Sequence, residues 1–113
     1  MTGGRTDDRD HVGRTLRTLE QCALHRRSLK LTCRRCRSVR VLDAVPLWWL
    51  FHRRGWPDDL ASAAARFACS ACRDAGHRSP APAIQVGRDR PDGPQPPYPD
   101  EREWTRLVSR YRS

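Results

Sequence analysis

Four of the five cysteines stand in two C-x-x-C pairs, Cys33 with Cys36 and Cys69 with Cys72. A two-residue spacing lets one tight turn aim both sulfurs at a single ion about 2.3 Å away, and two such turns complete a tetrahedron. Thiolates are soft ligands and zinc accepts this geometry without redox chemistry, so one structural zinc ion is the expected cofactor and iron the metal to exclude. About thirty residues separate the pairs, a little more than in common zinc modules. Two disulfides are a competing reading that suits exported chains, and a thioredoxin-like pair needs a βαβ setting not visible here. Four thiolates around a divalent ion leave two negative charges to be offset by N–H donors and cations, which Arg34, Arg35, Arg37 and Arg73 can supply. Cys22 is left over. With His25 it makes a C-x-x-H pair, but a single helical cysteine more often fills a small core site. His52 and His77 read as surface or packing residues, since four thiols already close the tetrahedron.

The elements that position these cysteines follow from apolar period and turn chemistry. Residues 1–14 are rich in Gly, Asp and Arg and read as a disordered leader. A helix is expected over 15–24, capped by Thr15, with Leu16, Leu19, Ala23 and Leu24 at helical offsets. Leu29 and Leu31 alternate with Ser28, Lys30 and Thr32, a half-buried strand that runs into Cys33. After Cys36, Val39 and Val41 alternate with Ser38 and Arg40 and predict the returning strand of a hairpin. Asp43 caps a helix carrying Val45, Leu47, Trp48, Leu50 and Phe51, with Pro46 in its first turn and Gly55 at its end. A second helix is expected over 56–67, with Pro57, Asp58 and Asp59 at its start and Leu60, Ala64 and Phe67 on one face. It delivers the chain to Cys69. The run 83–86 predicts a further strand, and 87–99, with Pro91, Pro94, Pro96 and Pro97, an extended linker. Residues 100–113 form an amphipathic helix: Asp100 and Glu103 match a capping box, and Trp104, Leu107, Val108 and Tyr111 share one face.

Strand, knuckle, strand, helical insertion, second knuckle and weak strand together resemble a zinc ribbon, and more narrowly the small bacterial zinc-ribbon proteins whose two C-x-x-C knuckles are separated by a helical hairpin. The resemblance covers residues 28–86. It implies a small α+β domain with short antiparallel strands, Cys33, Cys36, Cys69 and Cys72 as zinc ligands, flanking N- and C-terminal helices, and a binding role with no catalytic residue. One departure stands out. Such knuckles usually carry a glycine after the second cysteine, where a left-handed turn is needed, and here Arg37 and Arg73 occupy those positions.

With 113 residues and 9 prolines, the chain has no room for a large enzyme core. No nucleophile motif or phosphate-cradling glycine loop is present, and a closed four-thiolate site leaves no open metal position, so the expectation is a non-enzymatic protein. The formal net charge is +9, which favours polyanionic partners. Lys30 is the only lysine, and the Ala, Arg and Pro excess matches a GC-rich genome, so charge alone is a weak argument for nucleic acid. The candidate DNA or RNA contacts are Arg34, Arg35, Arg37, Arg53 and Arg54, with Trp49 as the tryptophan most able to stack on a base. A regulatory binding role follows from that reading. The alternative is a protein–protein adaptor using the Trp-rich helix or the terminal face of Trp104, Leu107, Val108 and Tyr111. The same tail also suits an anionic membrane surface, although no apolar run is long enough to span a bilayer. With no hydrophobic signal stretch in MTGGRTDDRD, a cytoplasmic location is expected.

Overall fold

The structure, a computed structural model, describes residues 15–112, with side chains described to residue 110. The expected leader, 1–14, therefore lies outside the described residues. The chain order is α1 (Leu19–Leu24), β1 (Ser28–Thr32), β2 (Val39–Asp43), α2 (Ala44–Arg54), α3 (Leu60–Ala64), α4 (Ser70–Asp74), β3 (Ala83–Gly87) and α5 (Glu101–Arg112). The three strands form one antiparallel sheet in the order β2-β1-β3, with Leu31 opposite Arg40 on one side and Ile84 on the other. This is a small α+β architecture.

Helix α1 starts at Leu19 rather than near Thr15. The cap is Thr18, whose Oγ1 accepts from the Gln21 N–H at 3.1 Å, while Gln21 Oε1 accepts from the N–H groups of Arg17 at 2.7 Å and Thr18 at 3.3 Å. The preceding residues stay extended because they pair with the approach to α3: Leu19 N–H donates to Asp58 O at 2.8 Å and Leu60 N–H to Arg17 O at 3.0 Å. That pairing also shortens the expected 56–67 helix to five residues. Asp59 becomes its cap, accepting from the Ser62 N–H at 2.9 Å, and Asp58 instead accepts from the Glu20 N–H at 3.1 Å.

Helix α2 follows expectation. Asp43 accepts from the Val45 N–H at 3.0 Å, and Gly55, at φ +68°, ends the helix in the left-handed conformation that glycine adopts without steric cost. Its inner face brings Val45, Leu47, Trp48 and Phe51 onto Leu19, Cys22 and Ala23 of α1 and onto Leu29, Leu31, Leu42 and Val86 of the sheet. The fifth cysteine, Cys22, is a fully buried core residue, and burial pushes its thiol up to about 12.

In β2 the alternation has the opposite phase to that expected. Register places Arg40 and Leu42 on the same face as Leu31 and Leu29, while Val39 remains 49% exposed. Val41, on the other face, is nevertheless buried because the proline-rich segment is a strap rather than a free linker. It runs along the edge of β2. Val41 N–H donates to Asp92 Oδ1 and Asp92 N–H to Val41 O, each at 3.0 Å; Asp43 N–H donates to Gln95 Oε1 at 2.9 Å. Arg40 bonds the Pro94 carbonyl and Tyr98 Oη donates to Asp43 Oδ2 at 2.7 Å, so polar groups of the edge strand find partners without another strand.

The strap leads into α5, where Asp100 accepts the Glu103 N–H at 2.8 Å as the capping pattern predicts. The helix turns its apolar face to the domain: Leu107 is 2% exposed, and Trp104 meets Trp48 edge-to-face at 6.3 Å. Arg26 lies over the Trp104 ring at 4.9 Å, and Arg110 pairs with Glu20 at 3.2 Å.

Candidate metal centre

The hairpin turn between β1 and β2 presents the first cysteine pair. Cys33 extends β1, its N–H donating to Ser38 O at 2.9 Å, and Arg37 N–H returns to Cys33 O at 3.0 Å. Arg37 takes the left-handed conformation itself, at φ +66°, although an arginine resists it. The turn that glycine usually supplies is thus made without glycine. The second pair differs from a ribbon knuckle: Cys69 occupies the N-cap of α4 and Cys72 lies within that helix. Arg73, being helical, needs no left-handed turn; Gly76 makes that turn at φ +78°, and His77 N–H closes it on Cys72 O at 2.8 Å. Ser79 Oγ accepts the Cys69 N–H at 2.6 Å and ties the pair to the chain beyond α4.

Hairpin and helix bring the four sulfurs within 4.8 Å of one another. Cys33 and Cys72 are 3.7 Å apart and Cys36 and Cys69 are 3.5 Å apart. Sulfurs at the corners of a zinc tetrahedron with bonds of about 2.3 Å stand about 3.8 Å apart, whereas a disulfide requires about 2.05 Å. The spacing fits a shared ion and excludes both disulfides in this arrangement. Cys33 and Cys72 are buried, Cys69 half-buried and Cys36 exposed, so one side of the cluster faces solvent.

Local donors already favour thiolates on the hairpin side. The Ser38 hydroxyl, 3.0 Å from Cys36 Sγ, holds that thiol down at about 6, and the Cys36 and Arg35 N–H groups lower Cys33, the Arg35 donor being 3.4 Å from its sulfur. On the helical side burial pushes Cys72 up to about 12. Four close sulfurs cannot all ionise unaided, and a divalent cation among them removes that conflict. All four are therefore suited to hold one thiophilic ion in a closed coordination shell.

The other residues singled out by sequence are dispersed. Arg34 Nε donates to Ala81 O at 3.2 Å and Arg35 to His77 Nδ1 at 3.1 Å, so both brace the segment after α4 against the hairpin. Arg37 and Arg73 are exposed beside the cysteines. Arg53 and Arg54 belong to the last turn of α2, each lying 5.5 Å from a ring centre, Arg53 over Trp49 and Arg54 over Trp56. Trp49 is half-buried against the core and also stacks with His52, its ring centre 5.8 Å away. Trp104 and Leu107 pack on the protein's own core, with Val108 half-buried beside them, rather than forming a free partner-binding face; the side chain of Tyr111 lies outside the described residues. Two contributors were missed. Ser38 reaches Cys36, for which a hydroxyl two residues after a ligand was the available signal, and Arg66 covers Trp56 at 4.3 Å, which no sequence spacing indicates.

Neither a protein-family model, nor a curated protein, nor a solved structure matches this chain. What fold and site define is a small α+β protein with a four-cysteine cluster able to bind a metal ion. No helix among the described residues is long and apolar enough to cross a membrane.

Proposed function

We propose that this protein is a structural-zinc module that binds nucleic acid in a regulatory role in the cytoplasm, without enzymatic activity. Its fold is a variant of the zinc ribbon, in which the first turn of α4 replaces the second knuckle. The carrying observation is the set of four sulfurs spaced for one tetrahedral ion. Zinc matches them because it takes four thiolates in a closed tetrahedron and has no redox chemistry to restrain. Its role there is to lock the hairpin to α4.

The nucleic-acid reading rests on arginines around that clasp. Arg37, Arg73 and Arg78 are exposed and carry no ion pair with a carboxylate among the described residues. Arg34 and Arg35, although they brace the structure, remain at the surface. Phosphate contact suits this arrangement better than stacking by Trp49, whose ring is already occupied by Arg53 and His52. An adaptor role through α5 is disfavoured by the burial of Leu107.

Titration of the zinc-loaded chain with duplex DNA and RNA across salt concentrations tests this reading. About four phosphate contacts predict a log–log salt slope of about −3.6 on DNA. Absence of binding at low salt, or equal affinity for heparin, refutes the nucleic-acid reading and leaves the metal site standing.

A further inference from the structure

Between the metal centre and the core, the inner face of the sheet holds a groove of about 230 Å³. Leu31, Arg40 and Leu42 form its sheet side, Phe67 and Ala71 the opposite side. Cys33 and Cys69 also line it, so an ion that joins the two cysteine pairs fixes both walls. Ala68 and Ala71, both exposed, carry the lining out to solvent beside Cys69.

The lining has a consistent chemistry. It is largely apolar, includes one phenyl ring and the exposed Ser70, and contains no carboxylate. Arg40 lies in the groove, steadied by the Pro94 carbonyl, and exposed Arg37 adjoins Ser38. Its volume falls below the roughly 300–1,000 Å³ typical of drug-sized ligands and suits one aromatic ring. A flat ring with an anion attached on either side satisfies walls and rim together. An unstacked nucleotide has that form; a base inside a duplex exposes only its edges.

We propose that this groove receives one unstacked base of a single-stranded nucleic acid, with the flanking phosphates on Arg37 and Arg40. The inference deepens the nucleic-acid reading above and rests on it. The test measures the affinity of the zinc-loaded full chain for a fluorescent oligothymidylate and for a duplex of equal length at matched salt. Wild type is compared with Ala71→Asp, Ala71→Lys and Arg53→Ala. Because Ala71 is exposed on α4, both Ala71 changes leave the apolar core intact, and circular dichroism and zinc content verify that. The expected result is at least tenfold preference for the single strand, reduced by about tenfold in both Ala71 variants despite their opposite charges, and unchanged in Arg53→Ala. A ratio that follows only the introduced charge, or does not move, overturns the groove while duplex binding preserves the broader reading. Loss of both ligands for wild type overturns that reading as well. Binding of an acidic tyrosine-containing peptide that Ala71→Asp abolishes, with oligothymidylate unaffected, reassigns the groove to a protein partner and overturns the inference.

Discussion

Ser38 and Arg37 show how much of the four-cysteine cluster depends on single residues beside the cysteines. The Ser38 hydroxyl lies 3.0 Å from Cys36 Sγ and stabilises its thiolate. Groups that orient a metal ligand typically contribute 10- to 100-fold in affinity, so Ser38→Ala should weaken zinc binding by about that factor in competition with a chromophoric chelator. Unchanged affinity would show that the hydroxyl is incidental. Arg37 holds φ +66°, where a Cβ costs roughly 1–2 kcal/mol, partly offset by the greater unfolded entropy of glycine. Arg37→Gly should therefore stabilise the zinc-loaded protein by about 0.5–1 kcal/mol in denaturant unfolding, and destabilisation would mean that the turn is not strained. The four-cysteine cluster was legible in sequence because C-x-x-C spacing encodes a local turn. The contribution of Ser38 was not, since it depends on the hairpin closing with that hydroxyl toward the sulfur.

At the scale of elements, local signals were readable and long-range ones were not. Asp43, Gly55 and Asp100 bound their helices as their residue types require. Thr18 displaced Thr15 as a cap because residues 17–19 pair with 58–60, a contact between distant segments. The same limit explains the strap: its prolines correctly signal extended chain, but the bonds from Asp92, Gln95 and Tyr98 exist only once β2 is an edge. Asp43 raises the Tyr98 phenol from 10.0 to about 12. A folded value above the unfolded one means that this bond contributes fully below pH 10 and is lost as pH rises through about 12. Tyrosinate absorbance of the folded protein should show a late step near that pH, and Tyr98→Phe should remove it. Helix α5 carries a separate expectation. Leu107 is 2% exposed, so Leu107→Ala should cost about 2–4 kcal/mol in denaturant unfolding. A change below about 0.5 kcal/mol would mean that α5 is not anchored in solution.

For the whole molecule, the apolar core joins α1, α2 and the sheet, while the cysteine end has little buried carbon of its own. Cys33 and Cys72 are the buried hydrophobic positions there, and α4 is one short helix. A closed thiolate site can supply on the order of 10 kcal/mol of apparent binding free energy, comparable to the roughly 5–15 kcal/mol that holds a typical domain folded. A metal ion bound there would hold the cysteine end, as the apolar core holds the rest. The α+β class followed from the order of periodic segments, whereas placement of the second cysteine pair on a helix did not, because S-A-C-R-D has no strong period of either kind.

Native mass spectrometry of freshly purified protein, paired with thermal melting before and after chelation, tests the metal clasp most directly. The predicted mass contains one zinc ion per chain; acidification or chelation releases it with uptake of protons by the thiols and a large drop in melting temperature, and Cys72→Ser prevents its binding. A metal-free mass with four free thiols, a mass lowered by two disulfides, or melting unaffected by chelation of bound zinc would contradict the account.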